Sequence, residues 1–425
     1  MEKSLKILKK GYVCDNCLGR FFAQLLKASS NKERGKAIRT IIAMQADSGK
    51  TFDIDPSNLK DFVFRNEKIK VPKRGKCIIC GNLFERMEKI SEEVVRKLSS
   101  LEFKTFLVGT KISNDLAQNE ESVWEELGTD YCEPMKAEIN REIGKLVEQK
   151  TKKTANFDNP DINVVIDLSD SGIRLQINSL WVYGGYKKLV RGIPQTRWFC
   201  NMCRGAGRLG KKKCGKCKGK GKMYATSVQE IIAKPFLKYT KGADSSFHGA
   251  GREDIDARCL DWRPFLIEVL SPKLRKIDLK KIRREINRSG KVLVSDLKFS
   301  NKGTARKIKA AKPSKTYRAL VVFEKPVKKD DLKKIKSITF VGQETPRRVM
   351  HRRADKLRKR KVLGIKWKWI NKKCIELKIK AEAGMYIKEL VHGDEGRTSP
   401  SIAGLLNNRA KVKELDVIKI EKIKV

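Results

Sequence analysis

Two periodicities divide the chain. Between residues 18 and 46 apolar and basic residues recur at helical spacing, and stretches 92–101 and 133–148 carry the same signature, with Ile139, Ile143, Leu146 and Val147 on one face. Residues 163–168 form an apolar run and 172–177 alternate, which predicts two strands joined by the turn Ser169-Asp170-Ser171-Gly172. These elements compose a first α+β unit ending near residue 178. Further on, Ser227 and Glu230 give the Ser-x-x-Glu form of a capping box ahead of an apolar run, so a helix is expected there. Strands then dominate, at 264–270, 291–299, 316–324, 362–370, 374–381 and 415–425, with helices at 279–287 and 330–338. Trp367 and Trp369 alternate with Lys366 and Lys368, as a strand with one wet face requires. The expected architecture is α+β: residues 1–178 as an accessory unit, and 179–425 as a largely antiparallel or mixed sheet with helices on one side.

Charge adds a partner. The 425 residues hold 96 Lys and Arg against 50 Asp and Glu, a formal charge of +46. Charge of this size, spread over the whole length, concentrates polyanions and points to nucleic acid. A Lys-rich thermophile surface is the alternative, but such surfaces usually balance Lys with Glu, which this chain does not. No apolar run reaches the roughly 18 residues of a membrane span, and the opening Met1-Glu2-Lys3-Ser4-Leu5-Lys6 lacks the long apolar segment of a signal peptide. A cytoplasmic protein without a membrane partner is expected.

Eight of the 11 cysteines fall in Cys-x-x-Cys pairs. Cys14 and Cys17 are separated from Cys77 and Cys80 by 59 residues, so a whole subdomain must fold back to gather the four thiolates. Four sulfurs suit structural zinc, whose closed shell leaves no position for catalysis. The second set, Cys200, Cys203, Cys214 and Cys217, carries an internal repeat, Cys-x-x-Cys-x-Gly-x-Gly, through Gly205, Gly207, Gly219 and Gly221. Those glycines let the backbone turn sharply and aim amides at the thiolates, and the repeat resembles the zinc hairpins of J-domain co-chaperones. Disulfides or a redox dithiol are the alternatives, and both fit an intracellular basic protein poorly. One or two structural zinc ions are therefore expected, the second in a hairpin inserted at about 198–222. Cys132, Cys259 and Cys374 receive no role.

Other motifs fall away. Residues 205–211 imitate a phosphate-binding loop, but Lys212 stands where Ser or Thr should hold magnesium, and Gly249-Ala-Gly251 is too short for a dinucleotide fingerprint. His248, His351 and His392 lie far apart without metal spacing. No organic cofactor is expected. Four polar segments remain, at 183–198, 249–265, 314–320 and 384–400, with a very basic stretch at 343–355.

Here the chain resembles the archaeal and eukaryotic tRNA pseudouridine synthases that modify T-loop uridines at tRNA positions 54 and 55. Gly251-Arg252-Glu253-Asp254-x-Asp256-x-Arg258 and the stretch from Tyr386-Ile387-Lys388 through Arg397-Thr398-x-Pro400 carry the likeness, which is close to full length. It implies an N-terminal THUMP-like tRNA-binding domain with zinc at Cys14, Cys17, Cys77 and Cys80, and a pseudouridine synthase sheet behind it. It also implies that Asp254 is the nucleophile, able to form a covalent intermediate without a cofactor. Asp256 is the rival carboxylate, with a buried ion pair to Arg258 as its structural alternative. By the same resemblance Tyr317 stacks on the target uracil, Lys388 pairs with the catalytic aspartate, Leu390 packs under the site and Arg252 fills the gap left by a flipped base. Arg347, Arg348, Arg352 and Arg353, with Arg358 and Arg360 beyond, suit bidentate phosphate contact; the alternative is a solvated charged face. The implied protein is a monomeric, cofactor-free enzyme acting on tRNA. A THUMP-linked methyltransferase or thiolase lacks its glycine or ATP loop here, and a non-catalytic zinc-containing RNA-binding protein or chaperone is the reading from another class.

Overall fold

The computed structural model describes residues 1–73, 75–170 and 172–423, with Arg352 described in its backbone alone. Ser171 of the expected turn and the last two residues of the expected strand 415–425 lie outside the described residues. The chain divides into two compact units, Met1–Asn178 and Ser179–Val425.

In the first unit the expected helical stretch 18–46 is two helices, Asp15–Arg20 and Asn31–Asp47. Ser30 starts the second, with a capping box in which its side chain accepts from the Glu33 amide while Glu33 takes the Ser30 amide. The two helices cross at backbone contact. A Cβ on Gly19 would lie 1.8 Å from the Asn31 carbonyl oxygen, and one on Gly35 2.0 Å from that of Asp15, so only glycine allows the crossing. Helices Met87–Leu98 and Met135–Thr151 accompany a four-stranded sheet in the order Thr154–Ala155, Thr105–Lys111, Ile162–Asp167, Gly172–Ile177. Ile139, Ile143 and Val147 are fully buried and Leu146 partly so, as the apolar face demands. The strand Thr105–Lys111 and the helices Glu2–Lys9 and Asn114–Leu127 lie beyond what the periodicity predicted.

The second unit is a mixed ten-stranded sheet. Its main path runs Val292–Ser300, Leu180–Lys188, Arg258–Leu270, Ala410–Ile420, Lys315–Phe323, Cys374–Ala381, Arg358–Asn371, Phe340–Gln343, Thr398–Ser399, and Asp244–Gly249 pairs with Arg258–Leu270. All these pairings are antiparallel except one, where Arg258 and Cys259 run parallel to Asp416 and Val417. Helix Val228–Thr240 begins at Ser227, whose side chain accepts from the Glu230 amide as the capping box predicts. The expected helix at 330–338 is instead a tighter 3-10 turn, Asp331–Ser337.

At the parallel pairing Asp416 is fully buried and meets Arg258 at 2.9 Å, Arg191 at 2.7 Å and Arg318 at 2.5 Å. Burial alone would raise its pKa, but the three guanidinium groups prevail and hold it at about 2. The folded pKa is thus depressed, so this contribution is complete above pH ~3.8 and is lost as pH falls through about 2. Asp416→Asn is expected to destabilise the second unit at neutral pH and to flatten its acid-unfolding curve between those limits. An acid titration by circular dichroism indistinguishable in slope from wild type would contradict that assignment.

Candidate active site

The strands Asp244–Gly249 and Arg258–Leu270 are joined by a loop that carries Asp254, and side chains donate to five of that loop's backbone carbonyls. Arg263 donates to Ala250, Gln195 to Gly251, Lys188 to Asp254 and Ile255, and Arg191 to Asp256, all at 2.8–3.2 Å. Beneath the loop Glu253 is buried and accepts from the Tyr186 hydroxyl at 2.8 Å, with Arg263 at 3.1 Å and the Lys188 ammonium at 3.9 Å. Burial, opposed by Glu253, pulls the Lys188 pKa down. A loop whose polar groups are tied this densely holds its outward carboxylate in one place without reorganisation.

Asp254 opens into a cleft of about 450 Å³, shared with Tyr317, Arg348, Tyr386 and the aromatic pair Trp198 and Tyr224. Its Oδ1 accepts from Arg348 at 2.8 Å, and Arg348 is in turn clamped by the buried carboxylate of Glu389 at 2.7 Å. This corrects the expectation for Arg348. The 3-10 turn Arg347–Arg352 delivers that side chain inward to the aspartate, not outward to phosphate. Lys388 lies 3.7 Å from Asp254, but its hydrogen bonds, at 2.6 and 2.8 Å, go to Asp256. Asp256 is accordingly no buried partner of Arg258. Its side chain is 67 % exposed and Arg258 binds Asp416.

Tyr317 lines the cleft, and burial, tempered by Arg263, pushes its phenol up to about 12, so it stays protonated at neutral pH. Leu390 is fully buried in the core around helix Ile387–His392. Arg252 is exposed at the cleft rim with its guanidinium 5.2 Å over the Trp198 ring. Of the remaining arginines, Arg347 pairs with Glu395 and Arg353 donates to the Tyr386 hydroxyl at 2.8 Å, while the Arg352 side chain lies outside the described residues. The cleft thus gathers Arg252, Asp254, Tyr317, Arg348 and Arg353. Sequence reasoning missed Lys188, Gln195, Glu253 and Arg263. For Lys188 and Arg263 the only advance sign is a charged residue in a strand at an inward position, which periodicity alone reads as outward, while Gln195 and Glu253 lie in loops that carry no period.

Both cysteine sets are assembled. Within each, four buried sulfurs lie within 4.8 Å of one another, and none is in a disulfide. Cys14 and Cys80 sulfurs are 3.6 Å apart, Cys203 and Cys217 3.7 Å, Cys200 and Cys214 3.9 Å. Zinc–sulfur bonds of about 2.3 Å at tetrahedral angles require about 3.8 Å. Amides of Gly207 and Gly221 each donate at 3.2 Å to Cys203 and Cys217, and the Cys14 amide and Arg20 guanidinium reach Cys77 and Cys17. These donors favour thiolates, so the donor sets fit a tetrahedral thiophilic ion.

Comparison with known proteins agrees with this geometry. The family described as Pus10, C-terminal matches residues 181–421, and Pus10 THUMP domain, archaeal, matches residues 90–167. The chain belongs to the Pus10 family. Proteins named tRNA pseudouridine synthase Pus10 are 42 % identical in Methanothrix thermoacetophila, over 99 % of this chain and 94 % of that one, and 42 % identical in Methanocaldococcus jannaschii, over 98 % and 93 %. The relative from Pyrococcus furiosus is 34 % identical over 99 % and 97 %. No described helix is long and apolar enough to cross a membrane.

Proposed function

We propose that the chain is a tRNA pseudouridine synthase that isomerises T-loop uridines, at position 54, 55 or both, with Asp254 as nucleophile. The observation that carries this reading is the densely tied loop presenting Asp254, clamped by Arg348, into a cleft lined by the half-buried Tyr317. The carboxylate forms a covalent intermediate as the C1′–N1 glycosidic bond breaks. The uracil turns, a C1′–C5 bond forms as the covalent bond to Asp254 breaks and frees the carboxylate, and the proton lost from C5 is balanced by one gained at N1. Arg348, at 2.8 Å, and Lys388, at 3.7 Å, hold the carboxylate in orientation. Tyr317 supplies a face on which the extruded base stacks, and Arg252, held over Trp198 at the rim, stands where the vacated stack would be filled.

The first unit, with its THUMP match, binds tRNA and measures the distance from the acceptor end. Zinc occupies the Cys14, Cys17, Cys77, Cys80 set and staples the hairpin of Cys200, Cys203, Cys214 and Cys217, which buries almost no other apolar residue. The protein works as a monomer in the cytoplasm, where tRNA is its partner.

Position-mapped pseudouridine on an unmodified tRNA transcript tests the reading. Product at 54 or 55 is expected; tight binding without product favours an RNA chaperone. Tyr317→Phe keeps the ring and is expected to leave KM within about threefold while lowering kcat if the phenol carries a proton. Tyr317→Leu loses stacking worth about 1–3 kcal/mol, hence about 5- to 150-fold in kcat/KM. Equal kinetics for the two variants would remove Tyr317 from base recognition.

A further inference from the structure

One cation in the cleft is not used by this mechanism. Lys315 sits two residues before Tyr317 on the strand Lys315–Phe323, so both side chains point to the same face. It is 7 % exposed, and what exposure it has is onto the cleft it helps to line. Among the described residues its ammonium has neither a hydrogen-bond partner nor an ion-pair partner, although a buried lysine elsewhere in this unit, Lys188, has three carbonyl acceptors. Buried ammonium groups are almost always paired, because three donors are otherwise left without acceptors. Gly251, with φ of +79°, leaves the space: a Cβ there would come within 3.1 Å of the Lys315 Nζ. The loop backbone has no side chain between this ammonium and the cleft.

We infer that Lys315 is a substrate-contacting catalytic residue, whose ammonium donates to the uracil carbonyl oxygen that becomes anionic while the base is detached from its sugar. The inference rests on the synthase reading and deepens it. When C1′–N1 breaks, the bonding electron pair leaves with the uracil, and its charge spreads over N1 and the two exocyclic oxygens. Lys315 stays protonated throughout and transfers nothing. It lowers the energy of the free anion and gives the turning base one fixed pivot, so that C5 reaches C1′ before N1 returns. A donor aimed at charge that exists only in the intermediate accelerates the chemical step without tightening tRNA binding. Its surroundings are mixed. Glu253, Asp254 and Asp256 approach from the loop, Cys259 and Arg263 from Arg258–Leu270, Tyr317 from its own strand, and Arg348, His351, Arg353 and Tyr386 from across the cleft. The strand Ala410–Ile420 adds only Leu415 and Val417 to the cleft, and Ala381 is its neighbour on Cys374–Ala381. Burial, then the nearby Arg263, draws the lysine down to about 8, so the charge is present at neutral pH and disappears as pH rises through that value.

Single-turnover pseudouridine formation by the full-length protein on a tRNA transcript tests this, with wild type beside Asp254→Ala, Lys315→Met and Lys315→Arg. Lys315→Met is expected to slow the chemical step by about 100-fold with tRNA Kd within about threefold. Lys315→Arg is expected to recover at least about tenfold of that loss and to stay flat in rate from pH 7 to 9.5, where wild type declines with an apparent pKa near 8. A Lys315→Met rate within threefold of wild type overturns the inference, as does a loss seen in Kd alone. If that variant does not fold, the wild-type pH profile decides, and a rate that does not fall up to pH 9.5 overturns it. No product from wild type at either uridine would instead overturn the synthase reading itself, and the role of Lys315 with it.

Discussion

Asp254→Ala is expected to abolish pseudouridine formation, by more than about 10⁴-fold in single-turnover rate, while tRNA Kd stays within about threefold. Two features make the prediction this asymmetric. The Asp254 carboxylate is the group that the loop presents to the cleft, so no neighbouring acid stands ready to replace it: Glu253 is buried beneath with Tyr186 and Arg263, and Asp256 points to Lys388. Removal also leaves Arg348 with its second partner, Glu389, so no buried charge is stranded and the loop keeps its carbonyl anchors. The melting temperature should therefore move little. Asp254→Asn gives a stricter version, because it keeps shape and hydrogen bonding to Arg348 yet cannot act as a nucleophile at neutral pH. Mapped pseudouridine persisting in both variants would transfer the chemistry to another group.

Loss of the first cysteine set should have the largest effect on stability. Cys77→Ser is expected to eliminate one bound zinc per chain and to remove the cooperative melting of residues 1–178, leaving that of 179–425. Structural zinc contributes about 10–16 kcal/mol in small zinc-finger peptides, comparable with or larger than the whole stability of an ordinary domain, about 5–15 kcal/mol. The site joins the helix Asp15–Arg20 to residues near 80 and leans on Arg20, itself buried with Glu120 at 3.2 Å and Glu138 at 3.4 Å. Without the metal, four buried thiols would lose their common ligand, and the region would rest on that buried ion-pair group and on scattered hydrogen bonds such as Val13 to Asn58 and Asn16 to Glu138. Metal analysis and calorimetry decide it: unchanged zinc content with an unchanged thermogram would show that these thiols bind nothing structural.

Elements with one clean period were legible. Gly172–Ile177, Leu279–Asn287 and Cys374–Ala381 have the predicted bounds because their apolar residues repeat without interruption. Charged residues facing inward were not. Lys188 at the end of Leu180–Lys188 reads as a surface residue until its carbonyl acceptors are seen, and from residue 183 onward that strand reads as part of a polar segment. Arg348 looked like one more phosphate-binding arginine in a basic run, since nothing local marks which member turns toward a carboxylate 94 residues earlier. The interruption at 21–30 was hidden for a different reason. Its cause is the contact between Gly19 and Asn31, a feature of two helices meeting and not of either alone. Spacing did suffice for the cysteines, because four thiols in two pairs leave few geometries that bury them all.

The strand Ala410–Ile420 has a consequence for biosynthesis. It lies between Arg258–Leu270 on one side and Lys315–Phe323 on the other, so the strands made before residue 301 and those made between 315 and 399 share no direct ladder in the main path. A nascent chain on the ribosome that has not yet passed residue 410 holds two half-sheets, each with an open edge waiting. Asp416 then locks Arg191 and Arg258 from the earlier half to Arg318 from the later one in a single step. Messages truncated upstream of that codon would yield chains that carry every catalytic side chain named above and still cannot close the sheet, a liability that quality-control proteases would meet as exposed strand edges.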